Sequence, residues 1–168
     1  AHFARARPVL RALGTRIHHL GPAGSGSTMK LISNHIAGIT TLAIAEGLVL
    51  AAAAGVPAAR TLDVCQDTVA RSYVLDDDVR PRVLARDFEP GFTVDLYHKD
   101  LRLAAELAQA LGVPLLFGRL TMEMFQMMRA RGRGGRSHVD CVNFLAELAG
   151  VDVYRKRKAP TRPTGRRP

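Results

Sequence analysis

The sequence predicts an all-α fold, a helical bundle around one long central helix. Three observations carry that expectation. The stretch from Gly21 to Gly55 (GPAGSGSTMKLISNHIAGITTLAIAEGLVLAAAAG) opens on a Gly- and Ser-rich turn, and from Ile36 to Val56 its only charged residue is Glu46. Downstream, apolar residues recur at helical rather than alternating spacing. Gly or Pro closes the runs. At 168 residues with 47% apolar content, the chain is long enough to bury a sizeable core, with one domain the default.

Taken in order, residues 1–13 carry a short helical pattern that Pro8 interrupts, and Thr15–Leu20 (TRIHHL) reads as a short strand ending at Gly21-Pro22. The long helix starts near Ser25 or Ser27, both good N-cap residues. A run this apolar satisfies the length test for a membrane span. Its Ala, Gly and Thr content, the mid-span Glu46 and the lack of flanking aromatics favour instead a helix surrounded by protein inside an intertwined dimer. Gly55 and Pro57 end it. Thr61–Tyr73 is expected as an amphipathic helix, with Leu62, Val64, Cys65, Val69 and Tyr73 for its inner face. Asp76-Asp77-Asp78 precedes a helix over Val79–Ala85, where acids favourably oppose the dipole. Asp87–Phe92 is a turn. Val94–Leu111 is a helix ended by Gly112 and Pro114, and Gly118–Arg131 a helix with a Met-rich face beside Phe125. Arg131–Arg136 is a flexible loop, and Ser137–Asp140 a capping-box-like start to a last helix through Leu148.

The net charge of +9 is concentrated at one end. Seven of the 24 Lys and Arg residues fall in Arg155–Pro168, so 17 stand against 15 acids in the rest. Residues 155–168 therefore read as a disordered, Pro-rich basic tail, and nucleic acid is not the expected partner. Two cysteines far apart, with no dense Cys spacing and no signal peptide pattern, suit a reducing, cytoplasmic setting. The six histidines show no metal spacing. The opening AHFARARPVL lacks Met and begins in mid-pattern, so the chain is expected to be a piece of something longer.

GPAGSGSTMK looks like a phosphate loop but does not place Lys directly before the hydroxyl residue after its second Gly. It also lacks the flanking units of a dinucleotide fingerprint. The chemistry points to Lys30 instead. A lysine in the first turns of a helix opposes the dipole, and partial desolvation there would ease loss of its proton, as a general acid/base requires. Asn34 lies one turn on and projects from the same face. Cys141, near a helix start, reads as a buried structural thiol.

The spacing Gly21-x-x-Gly24-x-Gly26-x-x-x-Lys30-x-x-x-Asn34, followed by an Ala-rich helix with Glu46 that ends at Gly55, resembles the β-hydroxyacid dehydrogenase family. That family includes 3-hydroxyisobutyrate dehydrogenase and tartronate semialdehyde reductase. Phe92 followed by Tyr97-His98-Lys99-Asp100-Leu101 is similar to its F…KDL segment, and Gly132–Asp140 to its Gly-rich loop closing on Asp. The resemblance covers roughly residues 8–150. It implies a helical domain like the C-terminal domain of 6-phosphogluconate dehydrogenase over residues 21–154. It further implies Lys30 as the catalytic general acid/base, Asn34 and Phe92 as substrate-binding residues and Lys99 as a cofactor-binding residue. The implied cofactor is NAD or NADP. The implied substrate is a short β-hydroxy acid or its semialdehyde, and the partner a second copy through the long helix, as homodimer or homotetramer. Asp100 is read as a helix-start acid and Asp140 as the cap partner of Ser137. Residues 1–20 would be the end of a nucleotide-binding domain that this chain lacks, and the chain alone is expected to be inactive.

Two other readings stay open at this point. One is a non-catalytic helical interaction module whose basic tail binds a polyanion. The other is a reductase of related fold acting on imines, whose members generally lack this lysine.

Overall fold

Secondary structure in the computed structural model, which describes residues 2–155, is helical throughout. The elements are α1 (His2–Leu13), α2 (Ser25–Ala53), α3 (Ala58–Gln66), a π-helical turn (Val74–Val79) that runs directly into α4 (Arg80–Ala85), α5 (Val94–Ala110), α6 (Leu116–Ala130), a 3₁₀ turn (His138–Asp140) and α7 (Cys141–Ala149). The expected all-α bundle is what forms. The tail predicted as disordered lies, apart from Arg155, outside the described residues.

The 29-residue α2 is the spine. It packs against α3, the π turn, α5, α6 and α7. Gly24, in the left-handed region at φ 96°, turns the chain into its first residue, Ser25. The buried side of α2 carries Gly38, Thr41, Ala45, Leu48 and Val49, and small residues there bring α5 close. A Cβ at Gly38 would lie 3.3 Å from Leu101 Cδ2. The core continues through Leu62, Leu75, Val79, Leu101, Phe125 and Met128, all nearly inaccessible. The opposite side of α2 is not covered by the described residues, and Ile32, Ile36 and Leu50 are exposed.

Several local expectations need correction. Pro8 does not interrupt the first helix, which runs continuously to Leu13 with Pro8 inside. A single proline removes one backbone donor, and no residue of α1 is buried. Thr15–Leu20 forms no strand. A strand needs a partner, and none exists among the described residues beyond one isolated antiparallel bridge between Thr93 and Ser137. The helix expected over Thr61–Tyr73 starts earlier, at Ala58 directly after Pro57, and ends at Gln66. Val69 and Tyr73 are consequently exposed rather than internal. The three aspartates do precede a helix, α4, but they are already helical themselves. They sit inside the π turn, where Gln66 and Arg71 hold Asp76 and Ser72 Oγ accepts a hydrogen bond from the Leu75 amide. The Met-rich face of α6 divides, with Met128 buried and Met127 exposed.

Candidate functional site

Lys30, Asn34 and Gly38 recur every fourth residue along α2, so they share one face. That face meets α5, which presents Tyr97, Asp100, Leu101, Ala104 and Ala108 as its buried stripe. The result is a polar knot in an otherwise apolar helix contact. The Lys30 ammonium donates to Asp100 Oδ2. Asn34 Nδ2 donates to the same oxygen at 2.7 Å. Lys99 Nζ lies 3.2 Å from Asp100 Oδ1. Asp100 is only 2% exposed, while the side chains of Lys30 and Lys99 are 51% and 49% exposed. One buried carboxylate thus gathers two outward-facing cations and an amide.

Asp100 is therefore not the helix-start acid read from the sequence. It is the seventh residue of α5, facing α2. The start of α5 is capped by Thr93, whose hydroxyl accepts from the Leu96 amide at 3.2 Å. Burial works to raise the Asp100 carboxyl, but hydrogen bonds from Lys30, Asn34 and Lys99 outweigh it and hold the group below the ordinary carboxylate range.

Phe92 stands beside this knot, its ring centroid 5.9 Å from Lys30 Nζ. Tyr97 meets it edge-on at 5.0 Å. His138 fixes the Phe92 backbone. The Phe92 carbonyl accepts from the His138 amide at 3.0 Å and lies 2.9 Å from its ring Nδ1. His138 Nε2 lies 2.8 Å from Asp78 Oδ2, so both ring nitrogens face oxygen acceptors. Burial acts to raise Asp78, but His138 and Arg82 together hold its carboxyl low.

A cleft of about 470 Å³ opens here, lined by Asn34, Phe92, Tyr97, His138, Asp78 and Arg82. Lys30 does not line it but borders it through Asn34 and Phe92. A larger cavity of about 630 Å³ lies elsewhere, between Arg133, Asp140, Glu147 and Tyr154, and holds none of Lys30, Asn34, Phe92 and Lys99. Asp140 beside it is corrected in part: its amide donates to the Ser137 carbonyl at 3.0 Å, but its carboxylate turns to arginines instead. Asp140 is 1% exposed and paired with Arg133 at 3.0 Å and Arg136 at 2.9 Å. Ser137 caps the 3₁₀ turn alone, accepting from Val139. Cys141 is fully buried and burial pushes its thiol up, as a structural cysteine requires.

All four site residues named from the sequence thus meet in one place. The partial desolvation expected of Lys30 is not supplied within this chain, because half its side chain faces solvent. Sequence reading missed Asp78, His138 and the central place of Asp100. The signal for Asp100 was available in the stripe Tyr97, Asp100, Leu101, Ala104, which has the spacing of a buried helix face. For Asp78 and His138, which are 60 residues apart, no local signal exists.

Residues 24–145 match the family model described as NAD-binding of NADP-dependent 3-hydroxyisobutyrate dehydrogenase. The chain is 31% identical to 2-(hydroxymethyl)glutarate dehydrogenase of Eubacterium barkeri, over 91% of this chain and 51% of that protein. It is 35% identical to L-threonate dehydrogenase of Escherichia coli K12, over 79% of this chain and 44% of that protein. Among solved structures it is similar to the crystal structure of a 3-hydroxyisobutyrate dehydrogenase from Salmonella typhimurium. The TM-score is 0.79 at 31% identity, covering 84% of this chain and 50% of that one. The chain spans about half the length of the curated relatives it matches.

Proposed function

This chain belongs to the 3-hydroxyisobutyrate dehydrogenase family, and from that premise we propose that it forms the helical half of an oxidoreductase. That enzyme interconverts a short β-hydroxy acid and its semialdehyde with NAD or NADP. The observation that supports this reading is the convergence of Lys30, Asn34 and Lys99 on Asp100 beside the Phe92 cleft.

The residues of this chain fit a dinucleotide in part. A dinucleotide is a polyanion, and the half-exposed ammonium of Lys99 is a suitable contact for it. The described residues do not make the rest of its site. No strand leads into Gly21, Gly24 and Gly26, so these glycines open α2 and do not make a strand–turn–helix phosphate cradle. The half of its relatives that this chain does not span would supply that cradle. Hydride exchange with the carbinol carbon of the substrate is the chemistry that a nicotinamide would supply when bound. The Lys30 amine takes the hydroxyl proton during oxidation and returns it during reduction, which balances the charge left by the hydride. Asp100 holds that amine at its station. Asn34, with one amide hydrogen on Asp100, offers its remaining polar atoms to orient the substrate. Phe92 walls the reacting end and excludes water.

The exposed apolar side of α2 and Leu116, Phe117 and Leu120 of α6 at 67–74% exposure leave large apolar side chains open to a partner. A second copy of the chain is the partner that fits. Sedimentation equilibrium is expected to return a multiple of the chain mass, and Phe117→Glu to move it toward monomer. A monomer at all concentrations in the parent protein would exclude this assembly.

The activity itself is tested in the full-length protein. Nicotinamide absorbance should change on addition of 3-hydroxyisobutyrate or of 2-hydroxy-3-oxopropionate, whereas residues 1–168 alone should leave it unchanged. A full-length protein that turns over no β-hydroxy acid or semialdehyde would reject the reading.

A further inference from the structure

One wall of the cleft is made by the π turn and α4, and its charges are unevenly matched. Asp78 is fully engaged, since one oxygen lies 2.8 Å from His138 Nε2 and the other 3.5 Å from Arg82 Nε. Arg82 is engaged as well. Its Nη1 donates to the Glu89 carbonyl at 3.2 Å, and Nη2 presses so closely on Gly91 that a Cβ there would lie 2.7 Å from it. That guanidinium is fixed in the wall, its charge spent on Asp78. Asp77 differs. It lines the same cleft, is exposed, and has no ion-pair partner among the described residues. Tyr73, also exposed, adds a phenol at the rim.

We propose that this wall selects the end of the substrate remote from the reacting carbon. It accepts a neutral, hydroxylated end and rejects a second anionic group. The inference deepens the reading of the preceding subsection and rests on it. Hydroxyls donate hydrogen bonds to carboxylate oxygens, and the cleft offers those of Asp77 with the Tyr73 phenol beside them. A distal carboxylate would instead enter a partly enclosed space with one uncompensated negative charge and no free cation. Like charges brought together in that way are strongly disfavoured. Asn34 and Phe92 belong to the same cleft, so a substrate that they hold has Asp77 and Tyr73 within the space open to its remote end.

Three substrates that share one reacting CH₂OH and one carboxylate isolate the effect. 3-Hydroxyisobutyrate carries a methyl at the neighbouring carbon, glycerate a hydroxyl, and 2-(hydroxymethyl)glutarate a carboxyethyl group. In the full-length protein, kcat/KM for 2-(hydroxymethyl)glutarate should fall at least about 10-fold below both others, and glycerate should equal or exceed 3-hydroxyisobutyrate. Asp77→Arg should raise the ratio of 2-(hydroxymethyl)glutarate to 3-hydroxyisobutyrate by about 10-fold or more, and Asp77→Asn by less. If the wild-type protein uses 2-(hydroxymethyl)glutarate as well as 3-hydroxyisobutyrate, or Asp77→Arg leaves the ratio unchanged, the proposed selection is wrong while the dehydrogenase reading stands. If none of the three is oxidised and none of their semialdehydes reduced, both fall.

Discussion

Lys30→Ala in the full-length protein is expected to lower kcat by about 10²- to 10⁴-fold, the range for removing a positioned general acid/base. Its effect on folding should be small. The lysine side chain is half exposed, and the carboxylate it leaves behind keeps Asn34 and Lys99 as donors. No buried charge is therefore stranded, and circular dichroism and the melting temperature should barely change. Lys30→Arg separates proton transfer from simple charge. Arginine keeps the positive charge and can still pair with Asp100, but it does not deprotonate in proteins. If the lysine works as proton carrier, Lys30→Arg should be nearly as slow as Lys30→Ala, and added small primary amines should partly restore the alanine variant. Full activity in Lys30→Arg would reduce the residue to an electrostatic support. Full activity in Lys30→Ala would remove it from the chemistry.

What the sequence made legible divides by distance along the chain. Features set by neighbours were readable. An apolar run between a Gly-rich turn and Gly55-Val56-Pro57 can hardly be anything but a long helix, and Lys30 and Asn34 must share a face because they are one turn apart. The four site residues were picked by resemblance, and only packing could bring Lys30 and Lys99 to one carboxylate across 69 residues. Asp100 was misread for a physical reason. An acid near a helix beginning is usually explained by the dipole, and a buried carboxylate is rare unless paired. Its partners lay on another helix, invisible to local pattern. The same holds for Asp140, whose arginines come from a loop that looked merely flexible. Thr15–Leu20 failed differently. Its β-branched residues suit a strand, yet a lone strand leaves its backbone groups unpaired, and the described residues offer no edge to join.

Asp100→Asn is expected to cost about 10- to 100-fold in kcat/KM, the worth of hydrogen bonds to a charged group. The reasoning is positional, because the carboxylate is buried behind Lys30. Asparagine keeps the shape but presents at most one acceptor oxygen where two ammonium groups and the Asn34 amide now point. If Asp100 acts through Lys30, the double variant Lys30→Ala/Asp100→Asn should be no slower than Lys30→Ala alone, since removing the amine removes what the carboxylate positions. Multiplicative losses would mean that Asp100 has a separate task. Stability offers a second readout, independent of substrate. The folded Asp100 carboxyl titrates below its ordinary range, which is near pH 3.9 for an unperturbed aspartate. Its contribution is therefore present above that ordinary value and is lost as pH falls through the lower, folded one. Urea midpoints measured from pH 6 downward should fall more steeply for the parent protein than for Asp100→Asn. Asp76, Asp78 and Glu147, also held low, contribute equally to both proteins, so the difference between the two curves isolates Asp100. Parallel curves would mean that the carboxylate is not held by its three donors in solution, and the constellation around it would lose its anchor.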